Sequence, residues 1–379
     1  MTIANTVLVT VVLLRFGVPL LIPRYPLPAI LACLVIDAAD QTIFQAFTHD
    51  PLAGYQTYDK ALDVYYLAIA YISTMRNWRD SAAFDVARFL YLYRLVGVTL
   101  FELLDQRWLL LVFPNTFEYF FIAYEAVRTK WNPARLSAQR VVTIAAAIWI
   151  VIKLPQEWWI HVAQLDFTDF MGNQPKLWLV LAAAAIAVAV IGRHLVRSAP
   201  APDWSFTVAV DRHLPPFDAS PGPWERFFTA VLLEKAVLLA LLCVIFAQVL
   251  ANVRSTNLEL AVGVMILVVL NAAISQWLRR GGRTWRTTTS QFFSMLTINI
   301  GIVLVDAVFV NSRGGDQTPE IDTTFLMVLL SLMIALFDRY RATRVKIDKG
   351  PGVITLWRAE RAASAALHPI TTAAPTHRG

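Results

Sequence analysis

Apolar runs of about 20 residues recur along the whole 379-residue chain and constrain its fold more than any other feature. At 1.5 Å per residue, a helix of that length crosses the roughly 30 Å of hydrocarbon in a bilayer. Charged residues make up only 16% of the chain, whereas a soluble domain has about 25%. Only helices and closed barrels satisfy their backbone in lipid. Because the runs are continuous, the sequence predicts an all-α polytopic integral membrane protein.

The runs predict eleven transmembrane helices. They cover residues 6–22, 27–47, 59–75, 89–104, 108–127, 141–161, 177–192, 226–250, 258–278, 291–310 and 323–337. With the amino terminus outside, 24 of the 33 basic residues fall in segments on the inner side and 5 on the outer side. Positive charge favours cytoplasmic loops. We therefore expect a multi-pass protein of the plasma (cytoplasmic) membrane, with its carboxyl terminus in the cytoplasm.

The spacing of these runs divides the chain into four parts. Residues 1–197 form a seven-span half with a polar cavity, and 198–224 are a polar, proline-rich cytoplasmic linker. Residues 225–345 form a four-span half, and 346–379 are a basic, largely disordered cytoplasmic tail. The net charge of +6 follows this topology. It therefore indicates contact with membrane lipid and gives no reason to expect a nucleic-acid partner.

Polar and ionisable residues inside predicted spans two to six are the candidate site. Each ionisable residue costs about 2.5 to 3.5 kcal/mol at mid-bilayer on insertion scales, so it needs a partner, water or a function. Most of them recur at helical spacing, which puts them on stripes that can face one interior. The candidates for binding a substrate or ion are Asp37, Asp40, Gln41, Asp59, Asp63, Arg94, Glu102, Asn115, Glu118, Lys153, Gln156, Glu157 and His161.

Charge balance in this set favours a functional site. Six of its carboxylates lie well inside these spans, against only two cations in the same spans, Arg94 and Lys153. An unpaired carboxylate in low dielectric either takes up a proton or holds a cation. We expect an outward-opening acidic cavity. The alternative is structural pairing, such as Arg94 with Glu102 or Lys153 with Glu118.

The second half is poorer in charge. Glu234 and Lys235 are adjacent, so they point about 100 degrees apart on a helix and need partners on neighbouring helices. Asn271 and Asn299 predict interhelical hydrogen bonds. We expect this half to act mainly as support.

Three classes of function fit these features. The leading prediction is a transporter or ion-conducting permease that handles a cation or a proton-coupled solute. The second is a membrane-embedded transferase or hydrolase acting on a lipid-linked substrate at the outer face, and the third is a structural or assembly subunit. The sequence contains no phosphate-binding loop, dinucleotide fingerprint or zinc motif. It therefore assigns no catalytic residue and leaves cofactor, metal and oligomeric state open.

Overall fold

The computed structural model describes residues 3–48, 55–78, 80–133, 136–163, 177–202, 206–210, 230–250, 256–278, 289–290, 292–297, 299–301 and 321–347. Throughout these residues the regular structure is helical, and no strand occurs among them. The all-α prediction is therefore confirmed.

The described helices follow one another along the chain with short connections in the first half. They are α1 (Ile3–Gly17), α2 (Pro26–Thr48), α3 (Tyr55–Asn77), α4 (Ser81–Leu104), α5 (Trp108–Val112), α6 (Thr116–Arg128), α7 (Ala138–Val162), α8 (Leu177–Ser198), α9 (Ala230–Val249), α10 (Asn257–Leu278), α11 (Phe292–Gly301) and α12 (Ile321–Ile347). A 3₁₀ turn, Val18–Leu21, separates α1 from α2.

Three stretches in the described part of the chain are long and apolar enough to cross a membrane. They are Ala138–Val162, Val231–Val249 and Thr323–Arg341. Other helices coincide with predicted spans but carry more charge or form shorter apolar segments, such as Val9–Leu21 and Asn257–Ala272.

Helix α3 lies at the centre of the packing. It contacts α1, α2, α4, α6, α9 and α12, and its residues 67–72 are at most 1% exposed. Aromatic rings fix its neighbours, since Tyr71 stacks on Tyr91 of α4 with ring centroids 4.8 Å apart. Directly after the helix, the ring centroids of Trp78 and Tyr124 of α6 lie 4.0 Å apart. Polar residues on α3 are therefore held against several helices at once.

The predicted span 108–127 is not one continuous helix, because the structure breaks it near its amino-terminal end. Helix α5 ends at Val112 and α6 begins at Thr116, with Pro114 between them. Proline has no N–H and its ring clashes with the preceding turn of a helix. The break leaves peptide groups of residues 112–115 available to side chains from other helices.

Several predicted cytoplasmic segments meet at one end of the bundle. Side chains make three of the hydrogen bonds that join them: Arg76 and Asn77 donate to the Pro23 carbonyl oxygen, and Arg344 donates to the Trp78 carbonyl oxygen. Backbone amides make two more: Thr207 donates to the Thr129 carbonyl oxygen, and Val210 donates to the Arg24 carbonyl oxygen. These bonds place the connections that follow α1, α3, α6 and α8 beside one another and beside the carboxyl end of α12.

Candidate functional site

Arg15 of α1 binds four aspartates from the next two helices. Its Nη1 donates to Asp40 and, at 3.2 Å, to Asp59. Its Nη2 donates to Asp37 and, at 3.2 Å, to Asp63. Arg15 is 5% exposed, and the several N–H groups of its planar guanidinium suit it to more than one carboxylate. These five residues form what we call the aspartate cluster.

A second cation closes the aspartate cluster on the side of α3. Lys60 Nζ lies 2.9 Å from Asp59 and 3.5 Å from Asp63. Carboxylate oxygens of Asp37, Asp59 and Asp63 lie within 4.8 Å of one another, and oxygen ligands of this kind suit a hard divalent cation. Arg15 contacts an oxygen of each of these three aspartates, and Lys60 contacts Asp59 and Asp63.

The role of Arg15 was missed by sequence reasoning. The charge balance considered spans two to six only, whereas Arg15 stands in predicted span one. Its position inside an apolar run was the available signal, since a cation there requires a partner. Only the packing of α1 against α2 and α3 identifies Asp37, Asp40, Asp59 and Asp63 as those partners.

Side chains from two other helices bind the peptide groups at the break between α5 and α6. Arg94 of α4 donates to the carbonyl oxygen of Phe113 at 2.8 Å, and Tyr93 donates to that of Val112 at 3.0 Å. From α7, Glu157 accepts the backbone N–H of Asn115 at 3.1 Å. The broken segment is thus held by specific polar contacts, as buried backbone groups require.

Glu118, in the first turn of α6, is fully enclosed. Its carboxylate accepts from Tyr66 of α3 at 2.5 Å and from the Asn115 side chain at 2.8 Å, and the residue is 4% exposed. The predicted stripe of Asn115 and Glu118 therefore faces α3, directly after the break.

Helix α7 supplies a stripe of three ionisable residues. Glu157 lies 3.6 Å from Lys153 and 3.1 Å from His161, which confirms the predicted alignment at four-residue spacing. Lys153 also donates to Gln156 at 3.0 Å. Two π-helical stretches, residues 148–153 and 158–162, flank the segment that contains Pro155. Asn115, Glu118, Lys153, Glu157 and His161 form what we call the glutamate cluster.

The structure shows further partners beside the pairings suggested from the sequence. Lys153 lies 3.6 Å from Glu157 and also acts electrostatically on Glu118, and Arg94 donates to the Phe113 carbonyl oxygen. Glu102 is half-buried two turns beyond Arg94, near the carboxyl end of α4. Gln41 lies on α2, but its side chain is outside the described residues.

The two clusters meet on α3, where Asp63 and Tyr66 are one turn apart on the same face. Asp63 and Glu118 act on each other electrostatically, as do Arg94 and Glu157. Within the described part of the chain, the combined network holds six carboxylates, four lysine or arginine side chains and one histidine, so the carboxylates outnumber the lysines and arginines by two. The cations are Arg15, Lys60, Arg94 and Lys153.

The network is closed in this conformation. Arg15, Asp40, Lys153 and Glu157 have side chains at most 5% exposed, while those of Asp37, Asp59 and Lys60 retain 25%, 17% and 17% exposure. A cavity of about 180 Å³ beside it is apolar and lies between α1, α3, α9 and α12. Its wall includes Tyr58, whose ring centroid is 6.0 Å from the Arg15 guanidinium carbon. The acidic cavity expected from the sequence thus appears here as packed ion pairs with an apolar chamber alongside.

Charged residues of the second half pair across helices, as predicted. Glu234 of α9 accepts from Tyr71 and lies 3.0 Å from Arg88 of α4. Its neighbour Lys235 points to α12 instead, where it lies 2.9 Å from Asp338.

The predicted interhelical hydrogen bonds of the second half are also confirmed. Asn271 donates to Asn299 at 2.9 Å, and Asn299 donates to Ser331 at 2.9 Å. This chain of polar groups ties α10, α11 and α12 together.

Comparisons with protein-family models, with curated proteins and with solved structures find no match to this chain. The chemistry of the network is therefore the basis on which a function can be proposed.

Proposed function

We propose that the chain is an eleven-span protein of the plasma membrane, with its amino terminus outside and its carboxyl terminus in the cytoplasm. Helices α5 and α6 together make the fifth span. The alternation of basic residues along the sequence supports this orientation. Hydrogen bonds to the carbonyl oxygens of Pro23, Trp78, Thr129 and Arg24 support the alternation of sides, since they join predicted inner segments at one end.

In that membrane the protein acts as a secondary transporter that moves a proton or another cation, coupled to a solute. The observation that carries this proposal is the excess of two carboxylates in a buried network at a broken helix. A carboxylate without a counter-charge in low dielectric takes up a proton or binds a cation. Broken helices with bound peptide groups line the substrate sites of many transporter folds.

Arg15 and Lys60 act as internal counter-ions in this proposal. When a proton or cation binds among Asp37, Asp59 and Asp63, it competes with the two basic side chains for the same oxygens. Loss of these ion pairs favours a conformation in which α1 and α3 are held together less tightly. A ligand that binds one conformation better than the other shifts the equilibrium between them. The break at residues 113–115 provides a position where the backbone can adjust.

Proton flux in proteoliposomes with an imposed pH gradient tests this function. We expect Asp40→Asn and Glu118→Gln to abolish flux, because each removes a titratable group of the network. Glu125→Gln is the matched control, since Glu125 is buried on the same helix but binds Trp78 and Arg128 away from the network. Unchanged flux in both test variants would overturn the proposal.

A second function has one observation in its favour. The grouped oxygens of Asp37, Asp59 and Asp63 could hold a divalent metal in a transferase or hydrolase for a lipid-linked substrate. Turnover of an isoprenoid diphosphate that needs Mg²⁺, stops with chelator and is lost in Asp63→Asn would establish this enzyme. If neutralising substitutions only lower the folded yield, the network is structural and the chain is an assembly subunit.

A further inference from the structure

A basic cavity of about 210 Å³ lies at the end of the bundle where the predicted cytoplasmic segments meet. It is walled by Leu20, Leu21, Pro23, Arg24, Arg76, Arg339 and Tyr340. Three arginines from three separate parts of the chain therefore face one space, and none of the described residues in this wall is acidic. The proposed transport network does not use any of them.

Backbone carbonyl oxygens and an aromatic ring contact these arginines. Arg76 donates to the Pro23 carbonyl oxygen at 3.3 Å, and Arg24 donates to that of Val210 at 3.4 Å. The guanidinium carbons of Arg76 and Arg339 lie 5.9 and 6.0 Å from the ring centroid of Tyr340. Such contacts orient the planar groups and leave their positive charge in place.

The acidic residue nearest in sequence to Arg339 is turned away from this cavity. Asp338 forms its ion pair with Lys235 of α9 at 2.9 Å. Arg339 itself is 5% exposed, so it contributes charge where water screens it little.

We propose that this cavity binds a phosphate group carried by an anionic phospholipid. Planar guanidinium groups bind phosphate oxygens through paired hydrogen bonds. Basic pockets between helices at the cytoplasmic side are the places where anionic headgroups bind membrane proteins. Leu20 and Leu21 are 43% and 52% exposed at the rim, which gives an acyl chain an apolar surface beside the phosphate.

The bound lipid would connect the first and last parts of the chain. Arg24 follows α1, Arg76 is on α3 and Arg339 is on α12. One headgroup that touches all three stabilises their packing by mass action, because it binds the folded protein only.

The test measures thermal unfolding of the full-length protein in neutral detergent. The probes are phosphatidylglycerol, phosphatidylcholine and inorganic phosphate, each added separately. We expect phosphatidylglycerol alone to raise the unfolding temperature, and native mass spectrometry to show it bound. A basic residue near an anionic membrane surface contributes about 1 kcal/mol to binding, which is roughly fivefold in affinity. Arg24→Gln should therefore weaken phosphatidylglycerol binding by roughly fivefold, and Arg24→Gln with Arg339→Gln by roughly thirtyfold.

Arg193→Gln with Arg197→Gln is the matched control, because both arginines are exposed at the carboxyl end of α8. It should bind phosphatidylglycerol as the wild type does. Equal losses in control and test variants would overturn the site in favour of general surface attraction. The same shift from inorganic phosphate would overturn the lipid and assign the cavity to free phosphate. Because Arg24 is half-buried in a connection, its single variant keeps the test valid if the double variant fails to fold.

Discussion

Glu157 of α7 accepts the backbone N–H of Asn115 at 3.1 Å, at the point where α6 begins. The same carboxylate lies near Lys153 and His161 on its own helix. One side chain therefore joins the broken helix to the ionisable stripe of α7. A change in the charge of Glu157 would therefore alter both its hydrogen bond to the broken segment and its contacts with Lys153 and His161.

Glu157→Leu should lower the free energy of unfolding by about 3 to 5 kcal/mol, because it leaves buried cations without their partner. Glu157→Gln keeps an acceptor for the Asn115 amide, so we expect a smaller loss of about 1 to 3 kcal/mol. Denaturant titration in detergent micelles measures both. Equal losses in the two variants would contradict a role for the hydrogen bond to the peptide group.

Gly97 of α4 permits the close approach of the broken segment. A Cβ atom at this position would overlap the side chain of Phe113. We expect Gly97→Ala to destabilise the protein by about 1 to 3 kcal/mol, as overpacking does. The atom nearest to the added Cβ is the Phe113 Cβ. Gly97→Ala combined with Phe113→Gly should therefore be more stable than the sum of the two separate losses predicts.

Gly192→Ala on α8 is the control for this position, since a Cβ atom there would meet no atom of the described residues within 4 Å. It should be neutral or stabilising by about 0.5 to 1 kcal/mol, because alanine favours a helix interior. A Gly97→Ala variant as stable as Gly192→Ala would show that Phe113 does not restrict this position.

Arg15→Gln should destabilise the protein by about 3 to 5 kcal/mol, since it leaves buried aspartates facing one another. Adding Asp40→Asn should restore part of the loss, because it removes one of the charges that Arg15 balances. Arg15→Lys should remain impaired, since an ammonium cannot replace a planar group that reaches four carboxylates. Denaturant titration of the wild type, Arg15→Gln, Asp40→Asn and the double variant forms a double-mutant cycle. Strictly additive losses would argue against the pairing.

Cysteine labelling in intact cells tests the proposed topology. Cys33 and Cys243 are 5% and 1% exposed, so the native thiols should give little background. Gln106→Cys lies in a connection predicted outside and should react with a membrane-impermeant maleimide. Ser198→Cys lies at the predicted inner end of α8 and should react only after permeabilisation. The opposite pattern would reverse the orientation.

The helical class and the polar stripes could be read from the sequence because they depend on local patterns. Apolar runs and period-four spacing predicted where helices form and that Lys153, Glu157 and His161 share one face. The need of Glu234 and Lys235 for separate partners followed from their adjacency. The break at Pro114 could have been expected from proline chemistry, but the apolar residues on both sides hid it within one run.

The sequence by itself determined that this chain is helical, that its helices are apolar and that carboxylates lie among them. The tertiary structure decided which groups those carboxylates meet. Asp37, Asp40 and Asp63 converge on Arg15, and Glu157 reaches the Asn115 amide, because α1, α2, α3, α6 and α7 pack side by side. Such partners are separated by tens of residues in the chain, so no local spacing specifies them; they are set by how neighbouring helices rotate and cross.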